Sequence, residues 1–332
     1  VITDTLRPPP LLDPTAIAYK DWLHLNIFDH ASGAIGIFNG SLHGSPLDRR
    51  ARAIGTALVH LPGTGWVGNV EVDDLMEANV GTTSIALEHV AVATDPSAGT
   101  VLAAARLARD GLEAGVTASA TSRPIDVAHP LPFGDGWISW YVVPRLSVTG
   151  GIVAADRRID LGSAVAYHDH NWGRWHWGDD IGWTWGACAA ANTPVTIVTS
   201  RATNRAHTRE TGTALIVDVA GERRTFTGHL VDIRTGGRMS EPVRRVPGAL
   251  AALHQDRRAP HLPATIVVRA DDGVDRVDIT FSPRAAAQLI AGDPARRGYG
   301  FIHEMPGTFE ARIRIAGERL ETRGLAVFEH VD

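Results

Sequence analysis

Trp22-Leu23-His24-Leu25-Asn26-Ile27-Phe28 is followed by Asp29-His30-Ala31-Ser32-Gly33 and then by Ala34-Ile35-Gly36-Ile37-Phe38. Two runs rich in aromatic and β-branched residues, joined by a short Gly-containing turn, predict a β-hairpin. Similar runs recur at Thr83–Leu87, Trp140–Val143, Val195–Val198, Ala214–Val217, Thr265–Val268 and Phe309–Ile315. Turn signals such as Asp110-Gly111, Gly134-Asp135-Gly136, Asp272-Gly273 and Ala316-Gly317 separate them. Many short strands with frequent turns predict an all-β sandwich or barrel, not a doubly wound α/β sheet. Helical candidates are few and short: Pro247–His254 and Arg284–Ile290. The Ala-rich stretch Thr100–Leu107 reads as helix by propensity, or as one arm of a strand pair turning at Asp110-Gly111.

A chain of 332 residues is long for one hydrophobic core and predicts two domains. The net charge of −5 argues against a nucleic-acid partner held by bulk electrostatics. The single cysteine, Cys188, excludes an intrachain disulfide framework and reads as a small buried residue. No apolar run reaches the roughly 20 residues of a membrane helix. No signal-peptide pattern opens the sequence, so the expected location is cytoplasmic.

A weak internal repeat sharpens the domain reading. Ala166-Tyr167-His168-Asp169-His170 resembles Ala326-Val327-Phe328-Glu329-His330, 160 residues later, and Trp22 and Trp183 stand at nearly the same offset. The repeat predicts two tandem β units, residues 1–175 and 176–332, with the seam in the Trp-rich region.

That region carries the chemistry. Seven of the nine Trp lie between Trp137 and Trp185, around Tyr167-His168-Asp169-His170-Asn171-Trp172-Gly173. Large apolar rings make a neighbouring carboxylate costly to ionise, so it can hold a proton to donate, and ring faces stabilise a developing cation. On a strand, Tyr167, Asp169 and Asn171 share one face, and His168, His170 and Trp172 the other. Asp169 is the candidate general acid, with Tyr167 and Asn171 to orient it. Trp137, Trp140, Tyr141, Trp172, Trp175, Trp183 and Trp185 are candidate walls for an apolar substrate. His168, His170 and His176 invite a metal reading, but the third ligand needs a turn at Gly173, and no metal is assigned. His303-Glu304 and Glu329-His330 could supply a second acid or base. Dinucleotide, phosphate-loop and nucleophile-elbow signatures are absent.

The segment Ala166–Gly173 resembles the Tyr-x-Asp-His-x-Trp-Gly signature of the carotenoid 1,2-hydratase (hydroxyneurosporene synthase) family, within a lipocalin-like superfamily. Trp177–Gly186 and the opening Asp21-Trp22 hairpin are similar in character. The resemblance implies two lipocalin-like β units, a ligand cavity and cofactor-free chemistry on a terminal isoprene double bond. In the family an Asp of the signature protonates the alkene and water captures the cation; that role carries to Asp169, with Tyr167 beside it. The family also has an upstream His. Here Trp137-Ile138-Ser139-Trp140-Tyr141 has none, which favours capture of the cation by a second double bond and hence cyclisation. Related lipocalin-like proteins act as pericyclases on polyketide polyenes, so the resemblance leaves open a pericyclase and a non-catalytic binder of apolar ligands. The expected partner is an apolar small molecule, with transient membrane contact during its uptake.

Overall fold

The computed structural model describes residues 4–7, 13, 15–45, 47–191, 193–241, 243–246, 261–293, 295 and 297–332. The chain divides into two compact units, Val1–Asp179 with Ala291–Tyr299, and Asp180–Ile290 with Gly300–Asp332.

The first unit holds β1 (Tyr19–Asp29), β2 (Ala34–His43), β3 (Arg52–Leu61), β4 (Gly65–Asp74), β5 (Asn79–Val80), β6 (Ser84–Ala86) and β7 (Val90–Asp95). It continues through β8 (Thr100–Leu107), β9 (Leu112–Ala120), β10 (Ile125–Phe133), β11 (Gly136–Ala154), β12 (Arg157–Asp160) and β13 (Val165–Arg174). The second unit holds β14 (Gly182–Ala190), β15 (Val195–Thr203), β16 (Glu210–Val219), β17 (Glu222–Thr227), β18 (Val231–Gly236) and β19 (Val243–Val246). Its later strands are β20 (Thr265–Asp271), β21 (Arg276–Pro283), β22 (Ala286–Gly292), β23 (Tyr299–Ile315) and β24 (Glu318–Val331).

The opening hairpin is β1–β2. Its turn is closed by the Asp29 carboxylate, which accepts from the Ser32 backbone N–H at 3.0 Å, and by Gly33 at φ +72°. A four-residue loop ending in a left-handed glycine is a common way to join antiparallel strands.

The strand order shows the repeat. In the first sheet it runs β4-β3-β2-β1-β13-β11-β9-β8-β7-β6-β5, and in the second β17-β16-β15-β14-β24-β23-β21-β20-β18. In each unit the first strand pairs with the last, and three meandering strands flank it on the outside. Both sheets are antiparallel and curl around their own apolar cluster, except that β19 and β22 pair in parallel. The fold is all-β, two tandem lipocalin-like units.

One helix expectation fails, and of the two readings of Thr100–Leu107 the strand arm is the one observed, pairing with β9 across the Asp110-Gly111 turn. Arg284–Ile290 contributes to β22, and Thr100–Leu107 is β8. Ala286 and Ala287 are both 0% exposed, and burial in a sheet outweighs the modest helical preference of alanine. Pro247–His254 lies outside the described residues. Regular helix among the described residues is limited to three single 3₁₀ turns, and none is long and apolar enough to cross a membrane.

Candidate active site

Strand β13 alternates as its sequence predicts, and its neighbours complete both faces. Asp169 lies opposite His24 of β1 and Val142 of β11, Tyr167 opposite Asn26, and Asn171 opposite Trp22 and Trp140. Residues opposed across antiparallel strands project to the same side. One face of the sheet therefore carries Trp22, His24, Asn26, Trp140, Tyr167, Asp169 and Asn171. The other carries Leu23, Leu25, Ile27, His168, His170 and Trp172, and its apolar members belong to the first unit's core. Gly173 ends the motif where a Cβ would meet the Trp137 carbonyl oxygen at 2.2 Å, so the close strand crossing requires glycine there.

Asp169 is held at both oxygens. The Tyr167 hydroxyl donates to Oδ2 at 2.8 Å, and the Asn171 amide donates to Oδ1. Tyr167 is 1% exposed and Asp169 6%. Beside them, His24 Nε2 donates to Asn26 Oδ1, and Asn39 Nδ2 reaches His24 Nδ1 at 3.4 Å. Because the Asn26 amide oxygen can only accept, the proton between this pair is carried on His24 Nε2.

The other expected residues are divided among different places. Trp140 shares the Asp169 face and is half-buried. Trp137, Tyr141 and Trp172 project to the opposite face, a correction set by the two-residue period of the strands: Tyr141 opposes His170, and Trp172 opposes Ser139. Trp175 is 1% exposed and packs edge-on against Trp22, Phe133 and Trp177, at centroid distances of 5.4, 5.4 and 6.0 Å. It is a packing residue that backs Trp22 rather than an open wall. Trp183 and Trp185 stand on β14 of the second unit, where the Trp183 indole donates to Glu329. Glu329 opposes Trp185 on one side and Glu304 on the other, so the repeat places a carboxylate in the second unit where the first has Asp169.

Four residues of the face escaped the sequence reading: Trp22, His24, Asn26 and Asn39. Alternation within the β1–β2 hairpin aligns them with one another. Their meeting with Asp169 depends on a β1–β13 pairing across about 145 residues, and no local pattern encodes that.

Trp175 and Trp177 also enclose the one lysine. Lys20 is 0% exposed, with Nζ bonded to the carbonyls of Ala18 and Trp175, 3.8 Å from Asp293 Oδ2 and 5.0 Å from the Trp175 ring centroid. Burial pulls its pKa down to about 8 against the opposing pull of Asp293 and Asp179. Lys20→Ala leaves Asp293 buried beside its remaining partners, His176 and the Trp177 and Ala295 N–H groups. Its expected cost is about 3–5 kcal/mol of unfolding free energy, measured by denaturant titration.

Behind the site strand lies a buried ionic network. His170 Nε2 meets Asp21 Oδ1 at 2.7 Å, and its Nδ1 stands 3.1 Å from Asp4 Oδ1. His168 faces Asp4 Oδ2 at 2.8 Å and donates through Nδ1 to the His24 carbonyl oxygen at 2.8 Å. Burial alone would push the His170 ring down; the hydrogen bonds and charges of Asp21 and Asp4 outweigh it and hold the pKa up at about 9. Burial likewise opposes ionisation of Asp4, but the two histidines hold its carboxyl well below the usual range. The network anchors the N-terminal segment, whose Leu6 enters the core and whose Arg7 guanidinium lies 4.1 Å above the Trp172 ring.

The histidines considered as metal ligands thus have carboxylate partners, and His176 bonds Asp293 at 3.0 Å. Among the described residues only Glu71, Glu88 and His89 bring three ligand atoms close enough for a metal. Cys188 is buried, and burial pushes its thiol up, away from reactivity.

No protein-family model matches the chain, and no curated protein sequence does. Solved structures do. A Nitrosomonas europaea protein described as AttH superposes with a TM-score of 0.67 at 14% identity, covering 94% of this chain and 91% of its own. Kievitone hydratase from Nectria haematococca gives 0.66 at 13%, covering 96% and 90%. CghA, solved with Sch210972, gives 0.61 at 12%, covering 95% and 88%. At such identities the likeness establishes a shared architecture over nearly the whole of each chain: this protein has the two-unit fold of those structures.

Proposed function

We propose that the protein is an enzyme that adds a proton to a carbon–carbon double bond of an apolar substrate, leading to hydration or ring closure, with Asp169 as the acid. The observation that carries this reading is the pair of donors on one buried carboxyl: Tyr167 at Oδ2 and Asn171 at Oδ1. Hydrogen bonds to an ionised acceptor are roughly twice as strong as neutral ones. Both therefore strengthen as Asp169 gives up its proton, and they stabilise the transition state more than the ground state. The electron pair of the double bond takes the Asp169 proton, one carbon becomes C–H, and its neighbour becomes a cation. The faces of Trp22 and Trp140, set on the same side of the sheet, suit that cation. Capture by water releases a proton that the Asp169 carboxylate recovers; capture by a second double bond gives a ring, and loss of a proton to the same carboxylate ends the sequence. Each cycle returns the acid, so the scheme needs no cofactor. That one of the matched folds bears the name of a hydratase agrees with this chemistry.

Incubation in deuterated water with linear isoprenoids and polyketide polyenes, followed by mass spectrometry, tests it. The expected result is one deuterium fixed at carbon per turnover, with either a gain of water or an isomeric ring. A second reading, pericyclic closure, draws on the amides of Asn26, Asn39 and Asn171 on the same face, which suit a polarised carbonyl. An isomeric product without carbon-bound deuterium would favour that reading and remove Asp169 from the role of acid.

A further inference from the structure

We infer that the substrate carries an oxygen acceptor beside its reacting double bond, and that Asn26 is the residue that selects for it. The inference rests on the proposed reaction for its location and on separate observations for its content.

The face around Asp169 is mixed, with apolar Ile37 and Val142 opposite Asn26 and Asp169 and polar groups beside them. His24, Asn26, Asn39 and Asn171 lie on it, and Ser41 and Thr56 extend it across β2 and β3, opposite Trp22 and Asn39. A hydrocarbon seated there would strip water from amides and hydroxyls and return nothing.

The hydrogen-bond direction picks out one group. Asn39 Nδ2 points to His24 Nδ1, and His24 Nε2–H points to Asn26 Oδ1. With its oxygen so engaged, Asn26 has only Nδ2 left to give. Asn26 is 0% exposed, and Nδ2 has no hydrogen-bond partner among the described residues. A buried donor left unmade is costly, and buried polar groups in folded proteins are nearly always paired. Asn26 opposes Tyr167, whose hydroxyl holds Asp169, so an oxygen bonded to Nδ2 sits next to the proton donor. The chemistry this fits is an alkene attached to a phenol, enol or ketone, not a plain polyene.

Two matched pairs of ligands test it by isothermal titration: prenylbenzene against 4-prenylresorcinol, and geranylacetone against the hydrocarbon with a methylene in place of its carbonyl. Wild type is expected to bind the oxygenated member of at least one pair about 10- to 100-fold more tightly, the range that one buried hydrogen bond supplies. Asn26→Asp keeps the acceptor for His24 and replaces the donor with a second oxygen. Asn26→Leu removes the amide altogether. Both variants, checked for wild-type circular dichroism, are expected to lose the preference while still binding the hydrocarbon member. Equal affinity within both pairs in wild type, including no binding of any member, overturns the inference. So does a preference that survives in a folded Asn26 variant. Binding is read without turnover, so absence of carbon-bound deuterium would defeat the proposed reaction and leave this result standing, and the reverse holds as well.

Discussion

Asp169→Asn is expected to lower kcat by about 10²- to 10⁴-fold, the usual contribution of a positioned acid, while the folded state persists. The substitution is isosteric. The Tyr167 hydroxyl can still donate to the remaining carbonyl oxygen, and the site lies outside the apolar cluster of the first unit. A primary amide has no proton to give an alkene, so the loss falls on the chemical step and leaves ligand affinity close to wild type. Steady-state kinetics with parallel titration of binding separates the two effects. Tyr167→Phe removes one of the two donors that stabilise the departing carboxylate, with an expected loss of about 10²- to 10³-fold, the scale of a single oxyanion donor. If Asp169→Asn fails to fold, its carboxylate is a structural acceptor for Tyr167 and Asn171 and no more. If it folds with activity intact, proton donation from Asp169 is excluded.

The division between what local sequence encodes and what it does not follows from the range of the interactions. Alternation along β13 was readable, because a strand's two-residue period needs no partner: Tyr167, Asp169 and Asn171 do share a face. So was the all-β class, since turn residues such as Gly33 act within four residues. The error over Arg284–Ile290 came from the same locality. Alanine favours helix when nothing else is present, and β22 is made a strand by its partners β19, some 40 residues before it, and β23. Trp172 and Tyr141 lie on the face opposite Asp169, as the two-residue period of their strands dictates, so aromatic density along the chain does not by itself put a ring beside the acid. The polar half of the site was illegible for a different reason. His24 and Asn26 reach Asp169 and Tyr167 only through the closure of first strand on last, the most distant pairing in the unit. Such closure is what lets a barrel carry a site built from both ends of its chain.

His170→Phe should be among the most destabilising single changes in the first unit, because it leaves two buried carboxylates, Asp4 and Asp21, without the cation between them. Removing one member of a buried ion pair costs about 3–5 kcal/mol, and for a unit of this size that lowers Tm by roughly 10 °C. The pH dependence identifies the cause. His170 has a folded pKa of about 9, above the ordinary histidine value of 6.5. A raised pKa means that the folded state binds the proton more tightly than the unfolded chain does. The contribution of His170 is therefore complete below about pH 6.5 and is lost as pH rises toward 9. Asp4 has the opposite sense: its folded pKa is depressed, so its contribution is present above the usual carboxylate range and is lost on acidification. Other groups titrate too, Lys20 among them, so the quantity to measure is the difference in unfolding free energy between wild type and His170→Phe from pH 5 to pH 9.5. The gap should be widest near pH 5–6.5 and should close steadily at alkaline pH. A gap that does not change with pH would mean that His170 binds its proton equally well in the folded and unfolded states and contributes by packing against Trp172, whose ring lies 4.9 Å away. The consequence for the site is direct. His168 and His170 alternate with Asp169 on one strand, and His168 bonds the carbonyl of His24, so the charges below the sheet hold the two strands whose upper face presents the acid. Alkaline loss of activity should therefore follow the loss of stability in this unit, as His170 gives up its proton.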